Sequence, residues 1–136
     1  MNTKIGTIVL SGVIVLAASL AMLFAFIFLV PSLMEEYYNP IFRSNSFETD
    51  WLFYLHPFVL SAALFWFWEH SKKDRTGSWI EKAFKTALSY GFVAMVPVLL
   101  LTFSAITISV LMVLTWLAYG IAQAFIACLI IAKRHP

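Results

Sequence analysis

The uncharged run Ile5–Val30 fixes the fold class before the rest of the chain is read. Its 26 residues exceed the about 20 that a helix needs to cross a bilayer. Three further stretches follow: 51–69, charged only at Glu69; 83–103, with Lys85 near its start; and 106–132. In lipid every backbone N–H and C=O must be satisfied inside the segment, so runs of this kind are helices. Charged residues make up 12% of the chain, against roughly 25% in soluble domains, too few to cover a water-facing surface. The expected fold is an all-α integral membrane protein, a four-transmembrane-helix antiparallel bundle forming a single domain over 1–136. The first run far exceeds the about 7–15 apolar residues of a cleaved signal and reads as a permanent helix.

Charge placement gives the threading. Of nine Lys and Arg residues, all but Arg43 fall before the first span, between the second and third or at the start of the third, or after the fourth. The first loop instead holds Glu35, Glu36, Glu48 and Asp50. The positive-inside rule then puts both termini and the second loop in the cytoplasm, as in a cell (inner) membrane, and the acidic first loop outside. The basic stretch KKDR, Lys72–Arg75, reads as a topology determinant touching anionic lipid headgroups rather than nucleic acid.

Local signals refine the spans. Ser78 followed by Glu81 is a capping-box pattern, so a helix start is expected at Ser78, with Glu81 and Lys85 paired at i, i+4. The link Ser104–Thr107 is short enough for a tight hairpin. Pro97 should kink the third span and free the carbonyl near Val93. Small residues recur every fourth position in three spans: Ala17, Ala21, Ala25; Ala83, Ala87, Gly91; Gly120, Ala124, Cys128. The second span has the patch Ser61, Ala62, Ala63. Such stripes let helices approach closely in lipid.

The segment DWLFYLHPFVLSAALFWFWEH carries two histidines. His56 lies ~7–8 Å into the second span, and His70 is fourteen residues further, about 40° short of four full turns, so both share a face. This resembles the spacing on the helices that hold two stacked haems in respiratory cytochrome b proteins. That likeness implies haem ligation, but each haem needs a second axial ligand from another helix, which here only a second copy would supply. His70, beside Glu69, Lys72 and Lys73, reads as a boundary residue. His56 is an ionisable group within the apolar run, hence a candidate site; otherwise it is a neutral lock bonded to a loop carbonyl or to Tyr54. Pro57 after it is taken to lie in the helix's second turn, where proline is tolerated.

Two further groups are candidates. Glu35, Glu36 and Asp50 converging with His56 would form an outward-facing polar mouth for a cation or other small ligand, while YYNPIF reads alternatively as a short interfacial segment. In TWLAYGIAQAF, Trp116, Tyr119 and Gln123 share one helix face. Gln123 near mid-span is either a clamp to Ser61 or Ser89 or the polar contact of an aromatic-lined cavity that Tyr90 joins. The candidate ligand-binding residues are thus His56, Glu35, Glu36, Tyr54, Trp116, Tyr119 and Gln123.

Much is excluded. The single cysteine, Cys128, allows no intramolecular disulfide. No carboxylate lies inside a span, as a proton-coupled small exporter would need. No phosphate loop, nucleophile elbow or zinc-helix motif is present, and no internal repeat marks a one-chain transporter. The reading is a non-enzymatic membrane module, without cofactor, that binds or passes a small ligand. Its alternatives are an accessory subunit packed on a membrane-protein partner or a second copy, and a haem-binding electron carrier.

Overall fold

The computed structural model describes residues 3–42, 47–71 and 76–136. Among the described residues six α-helices run in order: α1 (Thr3–Leu29), α2 (Pro31–Tyr37), α3 (Phe47–Ser71), α4 (Trp79–Tyr90), α5 (Val96–Ala105) and α6 (Val110–Arg134). A π-helical turn, Gly91–Met95, joins α4 to α5, so Trp79–Ala105 is one continuous rod. Four segments are long and apolar enough to cross a membrane: Thr3–Leu29, Asp50–Ser71, Trp79–Ala105 and Val110–Arg134. Among the described residues there is no strand.

The expected ends shift by a few residues, each for a local reason. The third helix starts at Trp79 because Ser78 caps it: Ser78 Oγ accepts from Glu81 N at 3.3 Å and Ser78 N donates to Glu81 Oε2 at 3.2 Å. That bond occupies Glu81, so the expected Glu81–Lys85 pair gives way; Lys85 Nζ donates to Thr76 O instead. Gly77, at φ +110°, makes the turn before the cap, a conformation costly for any residue with a Cβ. The last span begins four residues later than its apolar run, at Val110, where Ser109 Oγ accepts from Met112 N at 3.1 Å. The stretch KKDR lies outside the described residues. Glu69 accepts from Lys4 Nζ at 3.2 Å.

Pro57 stands elsewhere than expected, and Pro97 follows a π turn. Because α3 starts at Phe47, Pro57 stands well inside it rather than in the second turn. It has no N–H for the Phe53 carbonyl. Before Pro97 the rod widens into the π turn: Val96 N bonds Gly91 O, five residues back. A π turn absorbs the register that a proline takes away.

The terminal end of the molecule gathers Lys4, Glu69 and the C-terminal His135. Trp68 Nε1 donates to His135 O at 2.8 Å. Thr7 Oγ1 spends its proton on Thr3 O, so His135 Nε2, 3.0 Å away, is the donor to Thr7. A core of Val15, Leu60, Leu64, Trp68, Ala83, Ala127 and Ile131 fills this half.

Two of the expected stripes face that core. Ala83, Ala87 and Gly91 are buried against α6, which presents Gly120, Ala124 and Cys128 in return. The third does not: Ala17, Ala21 and Ala25 are exposed. The packing face of α1 is Thr7, Ser11, Val15 and Ser19, again every fourth residue. Its hydroxyls decide the matter, because each has a partner on another segment. Ser61 Oγ of α3 donates to Ser11 Oγ at 3.1 Å, and Gln123 Nε2 of α6 to Ser19 Oγ at 2.7 Å. Of the patch on α3, Ser61 alone is buried; Ala62 and Ala63 are exposed.

Candidate functional site

Helix α3 packs on α1 and α6, and the α4–α5 rod packs on α6. No comparable contact joins α3 to the rod. The gap between them is a cleft of about 480 Å³. One wall is α3, with Leu52, Phe53, His56 and Pro57; the other is the rod, with Tyr90, Met95 and Leu99. Its floor is Trp116, Tyr119, Gly120 and Gln123 of α6, with Ser19 of α1 behind them. The volume falls within the ~300–1,000 Å³ range of small-molecule sites, and apolar walls with a few polar groups are their usual lining.

Each feature of the cleft has a local origin. The π turn brings Met95 beside Tyr90, whose hydroxyl donates to the Met95 sulfur at 3.3 Å. Gly120 leaves room for the Met95 methyl; a Cβ there would sit 2.5 Å from it. Gln123 is 3% exposed and is held by Ser19, not by Ser61 or Ser89 as its position in sequence had made plausible. Ser19 Oγ accepts from Gln123 and passes its own proton to Val15 O at 2.6 Å. Tyr119 Oη reaches the Ser19 carbonyl at 3.4 Å. The imidazole of His56 stands at the open edge and makes no hydrogen bond to a described residue.

The structure therefore brings together His56, Trp116, Tyr119 and Gln123, with Tyr90. It does not bring in Glu35, Glu36 or Tyr54. Glu35 is exposed on α2. Both oxygens of Glu36 are taken by Ser109, from its backbone N–H and its hydroxyl at 2.7 Å. Tyr54 points away and meets Phe53 edge to face at 5.6 Å. Among the described residues no group of three or more His, Cys, Asp and Glu side chains could hold a metal ion. Neither glutamate is thus part of the cleft, whose edge residues Leu52 and His56 are exposed.

The hairpin end is covered by α2, whose last residue, Tyr37, is the first of YYNPIF, the stretch that reads in sequence as a short interfacial segment. Tyr37, Phe42 and Trp116 form an aromatic cluster, with Phe42 edge to face on Trp116 at 6.2 Å. Trp116 Nε1 donates to Tyr37 Oη. Below this cover is a second cavity of about 190 Å³, lined by Leu33, Met34 and Tyr37 of α2. It shares Phe53, Trp116 and Tyr119 with the cleft.

The haem reading meets an obstacle in geometry. His70 Nδ1 donates to Trp66 O at 2.8 Å, and its ring lies on Trp66 at 4.3 Å. The α3 face between the two histidines, with Val59, Ala63 and Trp66, is exposed, so it encloses nothing. The remaining histidine, His135, is engaged with Thr7 and packs on Phe65 at 5.0 Å. Within one chain no histidine from another helix opposes His56.

Residues that sequence reasoning missed are Ser19, Phe53, Pro57, Met95 and Leu99. Pro57 and Pro97 were the available signals, since a proline inside an apolar span often marks a site where backbone carbonyls are freed. Comparison with protein-family models, with curated proteins and with solved structures gives no match to this chain.

Proposed function

We propose that this chain is a multi-pass membrane protein, an antiparallel four-helix bundle with both termini cytoplasmic, that binds a small ligand in the cleft between α3 and the α4–α5 rod. The observation that carries the reading is the cleft itself: a cavity of about 480 Å³ lined by His56, Tyr90, Trp116, Tyr119 and Gln123. Side chains this polar are not needed to fill space between helices in lipid, where Leu or Phe would do. The orientation rests on the eight Lys and Arg residues that share the side of the termini. Its membrane is the cell's inner membrane, and its action is binding or passage rather than catalysis. The bilayer is its solvent, and nucleic acid is no partner.

The test is native mass spectrometry of the full chain released from its membranes in mild detergent. A stoichiometric small-molecule adduct is expected in the wild type and not in Leu52→Trp, which places a large ring over the cleft edge. An adduct retained in full by that variant, or absent from both proteins, sinks the cleft as the site.

A second reading has its own support. Ala17, Ala21 and Ala25 form an exposed small-residue stripe on α1, the surface that an accessory subunit would offer to a helix of a partner or of a second copy. Crosslinking of a cysteine placed at Ala21, in a Cys128→Ser background, would join it to a neighbour.

A further inference from the structure

The chemistry of the cleft narrows its ligand. None of the described residues that line it is Lys, Arg, Asp or Glu. A charged group of either sign seated there would lose its water without gaining a counter-charge, a heavily unfavourable exchange. The ligand is therefore neutral. The faces of Phe53, Trp116 and Tyr119 favour a flat ring, which packs on aromatic side chains in offset or edge-on geometry.

A plain acyl chain would match those walls and waste the rest. His56 has an imidazole with no hydrogen-bond partner among the described residues. Pro57 leaves the Phe53 carbonyl without its helical donor. Gln123 gives one amide hydrogen to Ser19 and keeps the other, along with its carbonyl oxygen. Polar groups of this kind, spread along an apolar cleft, reward a ligand that hydrogen-bonds at more than one point.

The direction of access is lateral. The hairpin end lies under α2, latched by Glu36 and Tyr37, whereas Leu52 and His56, which line the cleft on the α3 side, are exposed along the flank of a membrane-spanning helix. A ligand that arrives there comes from the lipid.

We infer that the cleft takes the ring of a lipid-borne quinone, with its apolar tail running out between α3 and the rod. One ring carbonyl accepts from His56 and the other from the spare amide hydrogen of Gln123. The reduced form, a quinol, donates instead to the Phe53 carbonyl and to Gln123 Oε1. The inference is of binding alone and rests on the ligand-cleft reading above.

The experiment is equilibrium binding of radiolabelled decyl-benzoquinone to the full chain in phosphatidylcholine nanodiscs, with empty nanodiscs as blank. The expected result is one saturable site per chain, weakened about tenfold by His56→Leu and by Gln123→Leu and abolished by Leu52→Trp. Helical circular dichroism checks that each variant is folded; His56 is exposed, so its variant carries no packing cost. Saturable binding that both polar variants leave unchanged overturns quinone recognition and leaves the cleft as a site for some other apolar ligand. No saturable site in the wild type, with another lipid found as an adduct that Leu52→Trp removes, overturns the ligand class alone. No site and no adduct overturns both readings.

Discussion

The half of the molecule that holds both termini is packed solid, whereas the half that holds the α5–α6 hairpin is hollow. In the terminal half Trp68, Ala83, Ala127 and Ile131 are all but fully buried, and the C-terminal residues close the end through Thr7 and Trp68. In the hairpin half two cavities share the rings of Phe53, Trp116 and Tyr119. The same helices run through both. The difference lies in how each half fills its space: in one, Thr7, Ser11, Ala83 and Ala87 let the helices close around Leu64 and Trp68; in the other, the rings of Phe53, Trp116 and Tyr119 border open space beside proline-altered backbone. Small residues bring helices together in lipid, where no hydrophobic force acts between them. Large rings and π turns hold them apart.

The largest effect that would break this contrast is a matched pair of truncations. Trp68 is 1% exposed, so Trp68→Ala opens a hole in the solid half and should cost about 3 kcal/mol or more. Trp116 already borders both cavities, and Trp116→Ala should cost about 1 kcal/mol, chiefly its bond to Tyr37. Thermal unfolding followed by circular dichroism in detergent reads both. Equal losses would mean that the hairpin half is not hollow in the working protein.

Next in size are two glycine substitutions. A methyl at Gly12 would overlap the ring of Phe58, a stiff obstacle between α1 and α3, so Gly12→Ala should destabilise by about 1–3 kcal/mol. A methyl at Gly120 meets only the tip of Met95, which can swing into the cleft. Gly120→Ala should shift the midpoint by less than a third as much while reducing the cleft. A larger shift for Gly120→Ala than for Gly12→Ala would reverse the assignment of rigid and yielding halves.

Much of this was legible in the chain. Uncharged length gave the four helices, the Ser78–Glu81 pair gave the start of the third, and the spacing of Ala83, Ala87 and Gly91 gave the face that meets α6. The stripe on α1 does not meet the core because small size alone does not choose a face: Ala17, Ala21 and Ala25 stand on one, and Thr7, Ser11 and Ser19 on another. Ser11 and Ser19 mark the right one, since a hydroxyl inside an apolar bundle needs a partner and a methyl does not. On the candidate site, Trp116, Tyr119 and Gln123 share a helix face by periodicity, and His56 stood out by depth. Nothing local announces that α3 and the rod stand apart, because that depends on which helices α6 chooses. Likewise Glu36 is near the cleft in sequence, yet its carboxylate serves Ser109, 73 residues away.

Gln123→Leu separates stability from binding. Ser19 keeps its bond to Val15 O, so removing Gln123 strands no donor. The cost should be near the average interhelical value, about 0.6 kcal/mol, and below ~1.7 kcal/mol. If the variant fails to fold, the amide is a structural clamp first and a ligand contact second.

The smallest effect concerns the cover over the hollow half. Glu36 accepts from Ser109 N–H and Ser109 Oγ, while that same hydroxyl caps the first turn of α6 by accepting from Met112 N. Glu36→Ala therefore removes one end of a short relay from α2 to the hairpin. Ser109 still caps α6, and Leu33 still packs on Ile108 and Met112, so the global midpoint should move by less than about 1 kcal/mol. The change should be local. Amide hydrogen exchange across 31–37 and 106–113 should speed up severalfold, with exchange across the terminal halves of α1, α3 and α6 unaltered, because opening of a lid needs only the contacts that hold it. Faster exchange spreading to residues around Trp68 would show that the two halves unfold together, and that the hollow is held open by the solid core rather than by its own cover.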